Sequence, residues 1–262
     1  MIKMDINVDM GEGFGRWTLG DDEALMPYIS SANIACGFHA GDPRIMRRTV
    51  SAAVRHGLDI GAHVALPDLL GFGRRRMALS PEEVRDYGTY QIGALWAFVK
   101  SEGGTLSYVK PHGSLYAMIN ENPAMASALA EGLAGIDPDL ILLLLNRNTE
   151  AAVARHGIRL IAEGFVDLDY DAKGNLIIER VKAARDPDDV ATRALRIATE
   201  HKVRTIEGID LSVDTPTICI HGDAPNALDV VSATRRRFDE AGISLMPIRR
   251  ILASHSPEQP VA

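Results

Sequence analysis

The sequence predicts an α/β fold in which a parallel sheet closes, or nearly closes, into a β/α barrel. Apolar runs of strand length alternate with amphipathic helical segments about seven or eight times. The runs are continuously apolar, which is typical of strands that are covered on both faces. No linker divides the 262 residues, so we expect one barrel domain at 1–250 and a C-terminal tail at 251–262.

Eight segments have the length and composition of buried strands, with six helical segments between them. The predicted strands are 3–8, 32–36, 59–63, 107–110, 140–145, 160–165, 217–220 and 244–247. The predicted helices are 43–57, 80–103, 122–132, 147–157, 186–202 and 227–242. Helix starts are marked by Asp42 before a proline and by Ser80, which opens a capping box with Glu83. An Asp-rich excursion at 165–180 carries a turn at 172–175.

The composition is that of an ordinary globular enzyme and excludes several classes of partner. The net charge of −7 argues against nucleic acid or an anionic membrane as the main partner. Aromatic residues make up only 5%, which disfavours a sugar-stacking cleft, and no apolar run approaches the ~18 residues of a membrane span. Cys36 and Cys219 lie in apolar runs and are expected to be buried free thiols, and we expect a cytoplasmic protein.

Five segments run from apolar residues directly into Asp, His or Lys beside Gly or Pro. They are INVDMGEGFG, ANIACGFHAGDP, IGAHVALPDLLGFG, YVKPHGSLY and ICIHGDAPNA. In a β/α barrel the active site lies at the carboxyl ends of the strands. The recurrence therefore predicts an enzyme whose single site is assembled from many strand ends.

The predicted catalytic residues are Asp9, His39, Lys110 and His112. Lys110 stands inside an apolar run, and a buried ammonium costs several kcal/mol unless it is paired. Asp9, Glu163 or a substrate phosphate could pair with it. Asp9 or His39 is the expected base. Asp42 is expected only to cap a helix.

The remaining polar residues at these strand ends and in their loops are predicted to bind substrate or cofactor. Glu12 forms a carboxylate pair with Asp9 that could bind a metal or act in acid–base chemistry. The predicted binding residues are Glu12, Asn33, His63, Asp68, Arg74, Glu163, His221 and Asp223. No Walker-type lysine loop occurs, so ATP would bind in a cleft at the barrel mouth or be shared with partner subunits.

The motifs NVDMGEGFG, SANIACGFHAGDP, PDLLGFGRR, VKPHGSLY and HGDAPNA, in this order, resemble the LamB/YcsF lactam-utilisation family over about residues 5–248. The resemblance implies a distorted seven-stranded β/α barrel, similar to the glycoside hydrolase/deacetylase superfamily. It also implies an ATP-hydrolysing cyclic amide hydrolase of the 5-oxoprolinase type that, with two further subunits, opens 5-oxo-L-proline to glutamate. A divalent metal at Asp9, His39 and His63 is a further implication, because hydrolases of that superfamily bind one through Asp and His. Self-association is left open.

The chain departs from the family pattern at two places on the rim of the predicted site. Val64, Ala65 and Leu66 stand where the family usually has Pro-Ser-Tyr, and Leu168 stands where it commonly has arginine. Because an arginine is a natural bidentate partner for a carboxylate, the change bears on the choice of substrate. Arg74 or Arg75 could supply the charge instead.

Two other functions stay open from the sequence. One is a metal-dependent deacetylase or amidohydrolase that acts on a small amide without ATP, which bound metal would favour. The other is a non-catalytic regulatory protein that keeps the fold, against which the five polar strand ends argue.

Overall fold

The computed structural model describes residues 1–178 and 182–254. Its strands are β1 (Lys3–Met10), β2 (Ser31–Ala35), β3 (Asp59–Val64), β4 (Leu106–Pro111), β5 (Ile141–Leu144), β6 (Arg159–Ala162), β7 (Gly164–Phe165), β8 (Asp169–Tyr170), β9 (Leu176–Ile177), β10 (Lys202–Arg204), β11 (Asp210–Ser212), β12 (Thr217–His221) and β13 (Ser244–Leu245). Its helices are α1 (Asp22–Leu25), α2 (Pro43–Arg55), α3 (Pro81–Ser101), α4 (Gly113–Glu121), α5 (Pro123–Ile136), α6 (Glu150–Ala154), α7 (Pro187–Glu200), α8 (Ala227–Glu240) and α9 (Ile248–Ala253). A short 3₁₀ helix spans Met26–Tyr28.

The main sheet is parallel and has the order β6-β5-β4-β3-β2-β1-β12-β7, with β13 also paired to β1. The two edge strands β6 and β7 are separated along the chain by Glu163 alone. Its backbone N–H donates to Leu144 O on one edge (2.8 Å), while the next residue, Gly164, pairs with Ile218 on the other. The edges therefore adjoin. If β6 and β7 are counted as one bent strand, the sheet is a distorted barrel of seven strands, which confirms the predicted fold class.

Local sequence signals account for the main helix starts. The Asp42 carboxylate accepts hydrogen bonds from the backbone N–H groups of Arg44 and Ile45, at 2.8 and 3.0 Å, and so caps α2 as predicted. Ser80 and Glu83 form the predicted reciprocal capping box at the start of α3. Both helices pack their apolar faces on the barrel, and the two cysteines are buried free thiols as expected.

Three predicted boundaries differ from the structure. The helix predicted at 147–157 contracts to α6, because the Asn146 side chain accepts from Asn148 N (2.9 Å) and holds that stretch in a turn. Helix α4 was not predicted, since Pro111 and Gly113 indicate a loop, yet Gly113 starts a helix with a φ of +53°. The predicted tail begins inside α9, where Ile251 is buried. Residues 255–262 lie outside the described part.

The excursion after β7 forms the β8–β9 hairpin, and its turn lies at the predicted residues 172–175. No helix in the described ranges combines the length and the apolar character needed to cross a bilayer.

Candidate active site

The carboxyl ends of five strands place polar side chains in one layer at the mouth of the barrel. Asp9 on β1 is in register with His221 on β12 and with Asn33 on β2. His63 on β3 is in register with Lys110 on β4. Because these strands are parallel, residues in register lie at the same depth, and the predicted strand-end residues meet as expected.

Lys110 lies at the centre of this layer and is almost completely buried. Its Nζ lies 3.2 Å from Asp9 Oδ1 and 3.2 Å from Glu163 Oε2. It also donates to Asn7 Oδ1 at 3.1 Å and contacts Cys219 Sγ at 2.9 Å. Burial opposes the charged form, but the neighbouring carboxylates outweigh it and hold the pKa of Lys110 well above its usual value. Lys110 is therefore a buried, paired ammonium ion.

Asp9 is held as a carboxylate by groups on both of its oxygens. Asn33 Nδ2 donates to Oδ1 at 2.8 Å, on the side that also contacts Lys110. Oδ2 lies 3.3 Å from His63 Nε2 and 3.8 Å from His221 Nε2. Burial acts to raise the pKa of the Asp9 carboxyl, but the charges of His63 and Lys110 overcome it and hold that pKa well below its usual value. Asn33 thus orients Asp9 from below.

Two histidines face each other with nitrogens that both carry lone pairs. His63 Nδ1 donates to Lys110 O (2.9 Å), and His112 Nε2 donates to Phe72 O (2.8 Å), because a carbonyl oxygen can only accept. The remaining nitrogens, His63 Nε2 and His112 Nδ1, lie 3.0 Å apart. A proton or a cation must lie between them. Burial acts to lower the pKa of His63, but Asp9 raises it above its usual value, so a proton on His63 satisfies the pair.

Glu12 and His39 complete this histidine cluster. His39 stacks on His112, with 3.9 Å between the ring centroids, and its Nε2 lies 2.9 Å from Glu12 Oε1. Burial and the nearby Asp9 charge raise the pKa of Glu12 to about 7. His39 Nδ1 is buried and has no hydrogen-bond partner among the described residues. Three imidazoles and one carboxylate, with ligand atoms within 4.8 Å of one another, are a donor set that suits zinc or a similar divalent cation.

The structure assembles this donor set differently from the predicted metal triad of Asp9, His39 and His63. Asp9 belongs to a second group, with Cys219 and His221, while Glu12 and His112 complete the first. The prediction missed this because the ring directions that decide which atoms converge depend on tertiary contacts.

His221 is oriented by a carboxylate that was noted at a strand end but not assigned a role. Its Nδ1 lies 3.0 Å from both oxygens of Asp167, and its backbone N–H donates to the same group at 2.8 Å. Burial acts to raise the pKa of Asp167, but the His221 charge and its hydrogen bonds lower it below its usual value. The ring stacks on Phe165, with centroids 5.8 Å apart. This Asp–His pair leaves Nε2 on the side of Asp9.

A cavity of about 60 Å³ opens above these residues. By the usual measure of one water per 10–15 Å³ of probe space, it holds roughly four to six water positions. The predicted site residues that line it are Asp9, His63, Arg74, Lys110, His112 and His221. An apolar wall comes from the excursion after β7 and consists of Phe165, Leu168, Leu176 and Ile178. The cavity therefore has one charged side and one apolar side.

Asp223 joins two cations at this cavity. Arg74 Nη2 lies 3.2 Å from Asp223 Oδ2, and Lys182 Nζ lies 2.5 Å from Asp223 Oδ1. Both cations line the cavity, whereas Asp223 stands behind them. Arg74 is also stacked over the Phe72 ring, 5.0 Å from its centroid. Of the two arginines considered from the sequence, Arg74 is the one at the cavity.

Asp68 is not brought into the cluster. Its Oδ1 accepts from Arg75 Nε at 2.8 Å and from Gly71 N at 3.0 Å, so it holds its own loop together. Arg75 is 62% exposed. Polar residues in Gly-rich loops commonly satisfy nearby backbone groups in this way, which the motif did not distinguish from a binding role.

Several predicted residues lie behind the cavity wall. Glu163 accepts from Tyr116 OH (3.0 Å) and from Asn7 Nδ2 (3.2 Å) beneath Lys110. Sequence reasoning missed Asn7, although it stands two residues before Asp9, and strand alternation places both on the same face. It also missed Lys182, for which no strand-end pattern gives a signal.

Comparison with known proteins places these features in a family. The LamB/YcsF family model matches residues 4–253. The A-type subunit of 5-oxoprolinase from Pyrococcus furiosus is 44% identical over 250 residues, which cover 94% of this chain and 98% of that protein. The first of the A-type subunits of 5-oxoprolinase from Pseudomonas aeruginosa is 46% identical over 248 residues, with 94% and 98% coverage. The crystal structure of a lactam utilization protein from Thermus thermophilus is 41% identical, with a TM-score of 0.87 over 94% of this chain and 100% of that one.

Proposed function

We propose that this chain, which belongs to the LamB/YcsF family, is the lactam-binding and ring-opening subunit of a 5-oxoprolinase. Relatives that match nearly its whole length are named as the A-type subunit of that enzyme. The observation that carries the proposal is that the Lys110 ammonium and the Asp167-oriented His221 line one small cavity. Its volume of about 60 Å³ suits a compact cyclic amide.

In this proposal His221 is the general base. Asp167 accepts the Nδ1 proton, which leaves the Nε2 lone pair available to take a proton from the attacking water. Attack on the amide carbon moves negative charge onto the acyl oxygen. Lys110, whose charge is maintained by Asp9 and Glu163, stabilises that developing charge in a site of low dielectric.

These roles change the one predicted for His39. That ring is completely buried and does not line the cavity. Burial lowers its pKa well below the usual value, with His63 adding to the effect. We assign His39 to holding Glu12 and His112 in place, and His112 to the cavity wall beside His63.

We further propose that ATP binds mainly on partner subunits. The cavity beside Lys110 holds only a few water positions, and a nucleoside triphosphate is several times larger than that space. The relatives are named as subunits, which favours a complex in which activation of the amide and opening of the ring are divided between chains. We derive no step through the nucleotide in this chain.

The test is reconstitution of the chain with its partner subunits. Glutamate formation from 5-oxo-L-proline is measured with and without ATP, with Lys202→Met, an exposed site on β10, as the control variant. We expect ATP-dependent turnover in the wild type and the control, and a loss of about 10²–10⁴-fold in kcat for His221→Asn, as general base catalysis typically contributes. No ATP-dependent turnover by the wild-type complex would refute the substrate, and an active His221→Asn complex would refute the mechanism.

A second candidate is a metal-dependent amidohydrolase that needs no ATP. The cluster of Glu12, His39, His63 and His112 favours it, because its donor set and its facing lone pairs suit a divalent cation. Such an ion would supply a Lewis acid for the carbonyl or an activated water. Elemental analysis and melting temperature of the chain before and after chelation and zinc return are the test. Stoichiometric zinc that raises the melting temperature supports the site, whereas a metal-free chain with full ATP-dependent activity excludes this candidate.

A further inference from the structure

Arg74 and Lys182 form a cationic pair whose role the ring-opening chemistry does not explain. Both line the cavity together with Lys110 and His221. Their side chains are only 19% and 8% exposed, so holding two like charges side by side here is costly unless they are used. Asp223, at 3.2 Å from Arg74 and 2.5 Å from Lys182, bridges the two cations. The three side chains together carry two positive charges and one negative charge.

The other charges lining the cavity are engaged with carboxylates of their own. Lys110 has two carboxylates within 3.2 Å, and His221 has Asp167 at 3.0 Å. Lys182 also contributes to lowering the pKa of Asp167, although burial and the His221 contacts act on that group more strongly. An anionic group entering the cavity would therefore meet its most favourable charge at Arg74 and Lys182.

The wall of the same cavity is apolar. Phe165, Leu168, Leu176 and Ile178 line it, three of them from the excursion that also leads to Lys182. An apolar wall, a cationic pair and a reactive ammonium suit a small ligand that has hydrocarbon, an anionic group and an amide. A five-membered lactam that bears a carboxylate on its ring has these three parts.

Resting on the function proposed above, we propose that Lys182 and Arg74 bind the ring carboxylate of the substrate, with Asp223 holding both cations in place. The carboxylate then lies at this pair while the ring methylenes pack on Leu168 and its neighbours. That arrangement leaves the amide group toward Lys110 and His221. Lys182 thereby becomes a specificity-determining residue that selects carboxylated lactams.

The test compares two lactams that differ in the carboxylate alone. Binding of 5-oxo-L-proline and of 2-pyrrolidinone to the full chain is measured by calorimetry for the wild type, Lys182→Met and Lys182→Arg, with Lys202→Met as the control. A charge-assisted hydrogen bond corresponds to roughly 10- to 100-fold in affinity. We therefore expect Lys182→Met to weaken 5-oxo-L-proline by that factor and 2-pyrrolidinone by less than about 3-fold. Lys182→Arg, which keeps the charge, should retain most of the affinity for 5-oxo-L-proline.

Two outcomes separate failure of this subsite from failure of the proposed function. If both lactams bind to the wild type and Lys182→Met weakens them equally, or weakens neither, the lactam pocket stands and the carboxylate subsite is refuted. If neither lactam binds, the lactam pocket itself is refuted, and the subsite with it. A parallel titration with inorganic phosphate identifies the anion: phosphate binding that is lost in Lys182→Met, with 5-oxo-L-proline unaffected, would assign the pair to a phosphoryl group and overturn the carboxylate assignment.

Discussion

Replacing Lys110 by methionine removes the ammonium and keeps a side chain of similar length, so it isolates the charge at the centre of the site. The wild-type side chain is 3% exposed, and the two carboxylates that it pairs with are 5% and 0% exposed. Neither carboxylate can regain its hydration in the variant. We therefore expect a large loss of folding stability, because breaking a buried ion pair by removing one partner typically costs about 3–5 kcal/mol.

A second route leads to the same magnitude. A buried carboxylate that has lost its cation escapes by taking up a proton. At pH 7 this costs about 3.7 kcal/mol for a carboxyl with an ordinary pKa of about 4.3, at 1.36 kcal/mol per pH unit. Asp9 keeps its contacts with Asn33 and His63, so Glu163 is the group expected to take the proton. The expected loss for Lys110→Met at pH 7 is accordingly about 3–5 kcal/mol.

The assay is urea unfolding followed by circular dichroism for the wild type, Lys110→Met, Lys110→Met/Glu163→Gln and the control Lys202→Met. The double variant should recover about 2–3 kcal/mol, since glutamine removes the buried charge without adding one. The penalty in Lys110→Met should also shrink by about 1.4 kcal/mol for each pH unit below 7. A single variant within about 1 kcal/mol of the wild type, or a double variant no more stable than the single, would refute the assignment of Lys110 as a buried paired ammonium.

Three further predictions concern groups away from the cavity. Burial raises the pKa of Asp5 to about 6, above its unfolded value of about 3.9, so the folded state holds a proton that the unfolded state releases. The contribution of Asp5 to stability should therefore fall by about 3 kcal/mol as pH rises from 4 to 7; urea unfolding across that range should show this difference between the wild type and Asp5→Asn, and parallel curves would contradict it. Asp42→Ala should cost about 1 kcal/mol of stability through loss of the α2 cap, whereas Asp42→Asn should keep most of it, as melting temperatures will report. Burial raises the pKa of both thiols, so Cys36 and Cys219 should resist iodoacetamide in the native protein and react in urea, as mass spectrometry can count; rapid native labelling would show that they are not buried.

Much of the fold was predictable because the signals that specify it are local. Continuous apolar runs predicted parallel strands, and the caps at Asp42 and Ser80 predicted two helix starts. Errors fell where side chains compete with the backbone, as Asn146 does before α6. They also fell where a glycine begins a helix instead of breaking it, as at Gly113.

The sequence by itself determined which polar residues stand at the mouth of the barrel, because parallel strands carry their carboxyl ends to one edge. It also determined that Lys110 must be paired, since a lysine in a buried strand has no other low-energy state. Only the tertiary structure decided which atoms meet. It turned His63 and His112 toward each other, withdrew His39 and Asp68 from the cavity, and brought Lys182 to it beside Arg74. Those outcomes depend on ring orientation and on contacts between residues far apart in the chain, for which a local sequence pattern carries no information.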